Sequence, residues 1–187
     1  MKRPSRIFSL VIVAAFLSDE ATNAQLPVLI AVDVSNPAAV MFTATGAAPF
    51  VNDATTGGTY GVTLFPFFSP STSFGSVSLT GDFTAAGLPA PYSYVGGNFY
   101  LSNGYADKQI FTTTQPAFTG SSWVNLSSKS ANLPTIGSSG DIYVGNPFGG
   151  SGVIIGRWEA VPEPHECALL AGLGLVGFAV WSRRFTS

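Results

Sequence analysis

A chain of 187 residues with 46% apolar and 13% aromatic side chains has ample material for a domain-sized hydrophobic core. Only 10% of its residues are charged and the net charge is −2, which excludes the basic stripe that nucleic-acid binding needs and leaves Ser, Thr, Asn and Gly to wet the surface. The single cysteine excludes a disulfide framework.

At the amino end, Lys2, Arg3 and Arg6 precede an apolar run over 7–17, and Thr22-Asn23-Ala24 supplies small residues at the usual cleavage positions. That three-part order predicts a secretory signal peptide over 1–24, passed through the Sec translocon and cleaved after Ala24, with Ala21 the nearest competitor. A retained anchor is disfavoured, because about 11 apolar residues are too few to span a bilayer. The acids Asp19 and Glu20, between the run and the cut, are unusual for such a segment.

Residues 25–160 then form one exported domain with Lys108, Lys129 and Arg157 set against six acids, a net of −3. Short runs of Val, Ile, Phe, Tyr and Thr recur between Gly, Pro, Asn and Ser clusters, and no helical repeat bounded by caps is present. Strands are predicted over 28–34, 40–45, 60–65, 76–83, 98–102, 109–113, 122–127, 141–144 and 153–160. In 76–83, Val77, Leu79 and Phe83 alternate with Ser76, Ser78, Thr80 and Asp82, as in a half-buried antiparallel strand. In 153–160, Ile154, Trp158 and Ala160 are expected in the core, opposite Arg157 and Glu159. The glycine-rich 149–152 reads as a hairpin connection. The expected fold is all-β: a single antiparallel β-sandwich of jelly-roll type, flanked by an N-terminal signal helix and a C-terminal transmembrane helix.

Residues 25–160 contain no histidine, since the only one is His165, so neither a Ser-His-Asp nor a Cys-His arrangement can be built there. Zinc sites of the usual His/Cys type fail for the same reason, and no metal or other cofactor is expected. A carboxylate pair for glycoside hydrolysis remains formally available, but Asp53, Asp82, Asp107 and Asp141 read as turn or strand-edge residues. Calcium in a loop such as Asn52-Asp53, or at Asn103 with Asp107, lacks a recognisable motif. Among the aromatics, Tyr92, Tyr94, Phe99, Tyr100, Tyr105 and Trp123 lie in or near turns; most are expected in the core. Tyr92 and Tyr94, beside Pro89 and Pro91, are the candidate sugar-stacking pair.

The carboxyl end, 161–187, has three ordered parts. Pro162 and Pro164 fix their own φ and push Val161 and Glu163 toward extended backbone, a form that a processing enzyme reads as a peptide strand. The stretch 168–181 is uncharged and rich in Leu, Ala and Gly, and a helix over about 166–182 reaches some 25 Å, marginal for a permanent anchor in a core of about 30 Å. Arg183 and Arg184 then act as a stop-transfer pair on the cytoplasmic side. Cys167 reads as a small apolar filler at the start of that helix.

Val-Pro-Glu-Pro, a small-residue apolar helix and a terminal Arg cluster, in that order, resemble the PEP-CTERM sorting signal. The resemblance covers about the last seventh of the chain, and His165-Glu166 stand where Ser and Thr usually follow the second proline. It implies recognition at Val161, Pro162, Glu163 and Pro164 by an exosortase, a membrane-embedded cysteine transpeptidase or protease of Gram-negative, exopolysaccharide-producing bacteria. The protein would be held in the inner membrane, cut near the Pro-Glu-Pro and released to the cell surface or extracellular matrix. A simple C-terminal membrane anchor is the competing reading of the same residues. For the exported domain the leading expectation is a non-enzymatic surface or matrix protein. The alternatives are a carbohydrate-binding module holding exopolysaccharide and a secreted glycoside hydrolase.

Overall fold

Alternating runs of β-branched and aromatic residues become strands where one face can be buried, and this chain has many such runs and few helix formers. The computed structural model of the protein describes residues 25–54, 61–72, 77–87, 94–96, 99–102, 109–144 and 152–162. The described strands are β1 (Val28–Asp33), β2 (Val40–Ala44), β3 (Asp53–Ala54), β4 (Gly61–Phe65), β5 (Thr80–Gly81), β6 (Thr84–Ala85) and β7 (Tyr94–Gly96). They continue with β8 (Tyr100–Ser102), β9 (Ile110–Phe111), β10 (Phe118–Thr119), β11 (Ser121–Val124), β12 (Ser139–Val144) and β13 (Val153–Val161). Ser127–Asn132 forms 3₁₀ turns.

One nine-stranded sheet carries the fold, in the order β5-β11-β2-β1-β13-β12-β4-β8-β7. Two small pairs, β10 with β6 and β3 with β9, complete it. Strands lie about 4.8 Å apart, so β2 and β8, five steps distant in that order, would be about 24 Å apart in a flat sheet. Yet Phe42 of β2 stacks on Phe99, the residue before β8, with ring centroids 4.8 Å apart. The sheet is therefore curled until its two wings meet across the core. Phe67 stacks on Phe99 at 4.1 Å and approaches Trp158 at 5.2 Å, which makes this ring cluster the centre of the fold. A second group, Phe83 on Phe118 at 5.4 Å and Phe118 with Phe111 at 5.6 Å, fills the space beside the small pairs.

The β-rich expectation holds, with three departures. First, the strands join one large sheet in which β1 and β13 run parallel, Val32 opposite Ala160 and Asp33 opposite Val161, whereas the expected sheets were antiparallel throughout. β13 runs antiparallel to β12, the strand before it in the chain, and so lies parallel to β1 on its other side. Second, Ile155 is buried and Ile154 only half-buried. The β12 register passes from Ile142–Gly156 to Tyr143–Ile154, and this bulge at Ile155 flips the inside-outside phase of the strand's first residues. Third, 76–83 is not one strand. Among the described residues Thr80 and Gly81 form β5 and Val77 makes an isolated bridge, and Gly81, at φ +139°, turns the chain ahead of the buried Phe83. Leu79 is buried and Thr80 and Asp82 are exposed, so the burial pattern survives the break.

Among the described residues no helix is long and apolar enough to cross a membrane. The signal segment over 1–24 and the helix over about 166–182 lie outside the described residues.

Candidate functional site

β13 brings the tail to the domain. Its alternation puts Trp158 and Ala160 inside and Arg157, Glu159 and Val161 toward the outer face. The Ala160 N–H donates to the Ser138 carbonyl and the Gly137 N–H to the Ala160 carbonyl, both at 2.8 Å, which fixes the strand up to its last turn of ladder. Val161, the first residue of the expected recognition segment, is still paired with Asp33. Pro162 follows half-buried, and without an N–H it cannot continue the ladder. Glu163, Pro164, Arg183 and Arg184 lie outside the described residues, as does the expected cleavage position Ala24.

A groove of about 500 Å³ runs along the outer face at this end, lined by Asp33, Asn36, Ala39, Met41, Thr43 and Val161 among others. The turn above it is held by its own side chains. Asp33 Oδ1 accepts from the Ser35 N–H at 2.9 Å and from the Ser35 hydroxyl at 2.6 Å, and Asn36 Oδ1 accepts from the Ala38 N–H at 3.0 Å. Cross-strand registers extend this face into a row, Thr80–Trp123–Met41–Asp33–Val161. Trp123 is 39% exposed there, whereas its neighbours Ser122 and Val124 are buried. Sequence reasoning counted Trp123 among rings expected mostly in the core, and the outward register of β11 corrects that for this ring.

On the other wing, Tyr143, Thr63 and Tyr100 are in register as a second row, and Thr63 is 3% exposed. The phenol of Tyr143 donates to Asp141 Oδ2 at 3.4 Å. Burial, then the Asp141 charge and this hydrogen bond hold its pKa above the ordinary tyrosine value. Of the candidate stacking pair, Tyr94 opens β7 opposite Ser102, and Tyr92 lies outside the described residues.

A cavity of about 480 Å³ opens between the turn around Pro66–Ser69 and the segment around Ala131–Ser139, with Trp158 among its lining residues. Sequence reasoning placed Trp158 in the core, which its 1% exposure bears out. It missed that the indole Nε1 is buried without a hydrogen-bond partner. The only signal was a tryptophan on an apolar strand followed in space by hydroxyl-rich loops, and spacing along the chain does not reveal that meeting.

The acids of the described residues are held by near neighbours. Asp82 Oδ1 accepts from the Ser121 N–H at 2.8 Å, Asp53 Oδ1 from the Ala54 N–H at 2.7 Å, and Glu159 lies 3.5 Å from the Arg157 guanidinium. Asp53 and Asp82 thus act as the turn and strand-edge residues expected of them, while Asp107 lies outside the described residues. Among the described residues no three His, Cys, Asp or Glu side chains gather where a metal ion could be held. Comparison of the chain with family models, with curated proteins and with solved structures found no match.

Proposed function

We propose that this is a non-enzymatic exported protein of the cell surface or extracellular matrix of a Gram-negative bacterium. In this reading the Sec translocon exports it, its C-terminal helix holds it in the inner membrane, and an exosortase processes it at Val161-Pro162-Glu163-Pro164. One observation carries the reading: β13 ends at Val161, and Pro162 follows at once. Every described strand therefore lies on the amino side of the Pro-Glu-Pro, and the described ladder is complete without the tail. The curled sheet with its wings in ring contact supports treating the exported part as a sandwich of jelly-roll type, varied by the parallel β1–β13 pair.

The test is Pro162→Ala with Pro164→Ala in the producing bacterium, followed by fractionation and intact-mass spectrometry. The double variant is expected to accumulate at full tail length in the inner membrane, while the parent chain is released without its tail. Release of the variant at the parent's mass and rate refutes the reading. A second reading, a module that holds exopolysaccharide, is favoured by the exposed Trp123 ring in a row with Met41 and Asp33 on the outer face.

A further inference from the structure

The first described residues are tied to the last strand. The Arg157 N–H donates to the Pro27 carbonyl at 2.9 Å, Val28 pairs with Arg157, and a Cβ on Gly156 would meet both the Leu29 side chain and the Pro27 carbonyl. Gln25, two residues ahead of Pro27, is exposed and reaches the Arg157 guanidinium. With its oxygen toward that group, the side-chain amide accepts from both terminal guanidinium nitrogens at 2.9 Å; the opposite orientation would set its NH2 against those donors. Two N–H groups thus converge on one carbonyl oxygen, an arrangement suited to a developing oxyanion.

A cut after Ala24 makes this glutamine the amino terminus, and the free α-nitrogen then belongs to the same residue as the gripped amide. An amine on the same side chain as a carbonyl carbon meets it at high effective concentration. Hydrogen bonds at Oε1 draw electrons from Cδ and stabilise the negative charge that forms on the oxygen as the nitrogen adds. Gln25 is exposed, so core packing does not resist rotation about its side-chain bonds. The new ammonium would also stand near a guanidinium, a like charge that favours the uncharged, nucleophilic amine. Glu159, 3.5 Å from Arg157, and Asp141, opposite it in β12, offset part of that repulsion, which leaves polarisation of the carbonyl as the main effect.

The geometry points to Gln25 as a modification site: after signal-peptide removal its α-nitrogen closes onto its own side chain to give a pyroglutamyl terminus, with Arg157 holding the oxygen throughout. The N–Cδ bond forms and the carbonyl electron pair moves to Oε1. The intermediate then collapses, the Cδ–Nε2 bond breaks, and Nε2 leaves as ammonia with the proton that the α-nitrogen gives up. No oxidant, reductant or co-reactant is consumed. The lactam keeps Oε1 as an acceptor for Arg157 and carries no terminal ammonium, so it is closed to enzymes that grip a free α-amine. This modification requires the cut after Ala24 that the export reading assigns.

In the experiment, a site for a sequence-specific protease is placed directly before Gln25 in the full chain, the folded protein is cut, and its intact mass is followed at neutral pH. The cut chain is expected to lose one ammonia at least about tenfold faster than a synthetic peptide of residues 25–30 under the same conditions. Arg157→Lys keeps the charge but not the two-pronged grip, and should bring the rate down to that of the peptide. The peptide comparison needs no variant, so it decides the matter should Arg157→Lys fail to fold. Protein recovered from the producing bacterium is weighed in parallel and is expected to begin at Gln25 with one ammonia missing. A folded chain that closes no faster than the peptide, or that closes equally fast with Arg157→Lys, overturns the proposal. So does a mature chain that begins at an open Gln25. A mature chain that begins elsewhere refutes the cut after Ala24, and with it the modification in the bacterium, however fast the cut chain closes in the tube.

Discussion

The hydroxyl of Ser122, itself 1% exposed, accepts the backbone N–H of Phe83 at 3.0 Å, and this bond holds the bend that carries Phe83 into the core after β5 ends. Ser122→Ala removes this buried acceptor, so the chain is expected to lose about 1–3 kcal/mol, read as a lower urea midpoint at unchanged slope. An unchanged midpoint would mean that another acceptor replaces the hydroxyl. Phe99 presents a related case: it is fully buried at φ +56°, a region that bulky residues avoid, and its contacts with Phe42, Phe67 and Phe68 offset the backbone cost. Tyr143 gives the fold a pH dependence. Its pKa is raised in the folded chain, so the native state holds the phenolic proton more tightly than the unfolded chain does. The stability this contributes is whole below the ordinary tyrosine value of about 10 and is lost as pH rises through the folded pKa. Tyr143→Phe is therefore expected to flatten the alkaline limb of a stability-against-pH curve and to leave the acid limb as it was. An alkaline limb identical to the parent's would show that the phenol is not its source.

At the scale of elements, the sequence revealed where strands fall better than how they join. Each of the nine predicted runs overlaps a described strand, because alternation of apolar and hydroxyl residues follows from burying one face. Strands β3, β6, β7 and β10, each of two or three residues, fall outside the predicted runs. Two errors have the same origin, a local backbone event that periodicity cannot register. The bulge at Ile155 shifts the phase of β13, and the φ of Gly81 ends β5 early. Side-chain alternation gave the burial of Leu79, Phe83, Trp158 and Ala160, but not the partners of their strands. Pairing of β1 with β13 joins the first and last described strands, and nothing local in either run encodes its parallel sense. The cavity beside Trp158 was hidden for the same reason, being assembled from Pro66–Ser69, Ala131–Ser139 and one residue of the last strand.

For the whole molecule the decisive fact is that the last strand is the middle one. β13 is fifth of nine in the sheet, between β1 and β12, and its own residues Ile155, Trp158 and Ala160 enter the core. Without it the sheet divides into β5-β11-β2-β1 and β12-β4-β8-β7, and two strands each lose a full row of backbone partners. Folding therefore waits for residues up to Val161, while residues past Pro162 add nothing to the described ladder. Two truncations separate these contributions, followed by far-UV circular dichroism on heating. A chain ended at Pro162 should unfold cooperatively within about 3 °C of the full chain, as expected for a stability change below about 1 kcal/mol in a domain of this size. A chain ended at Gly152 should show no cooperative transition. If the Pro162-ended chain failed to fold, the tail would be part of the core, and its removal could not release an intact domain. If the Gly152-ended chain folded normally, β13 would be dispensable and the curl would have to close through other pairs. With both outcomes as expected, the fold completes at the residue where the proline segment begins, so a cut beyond it frees a finished domain.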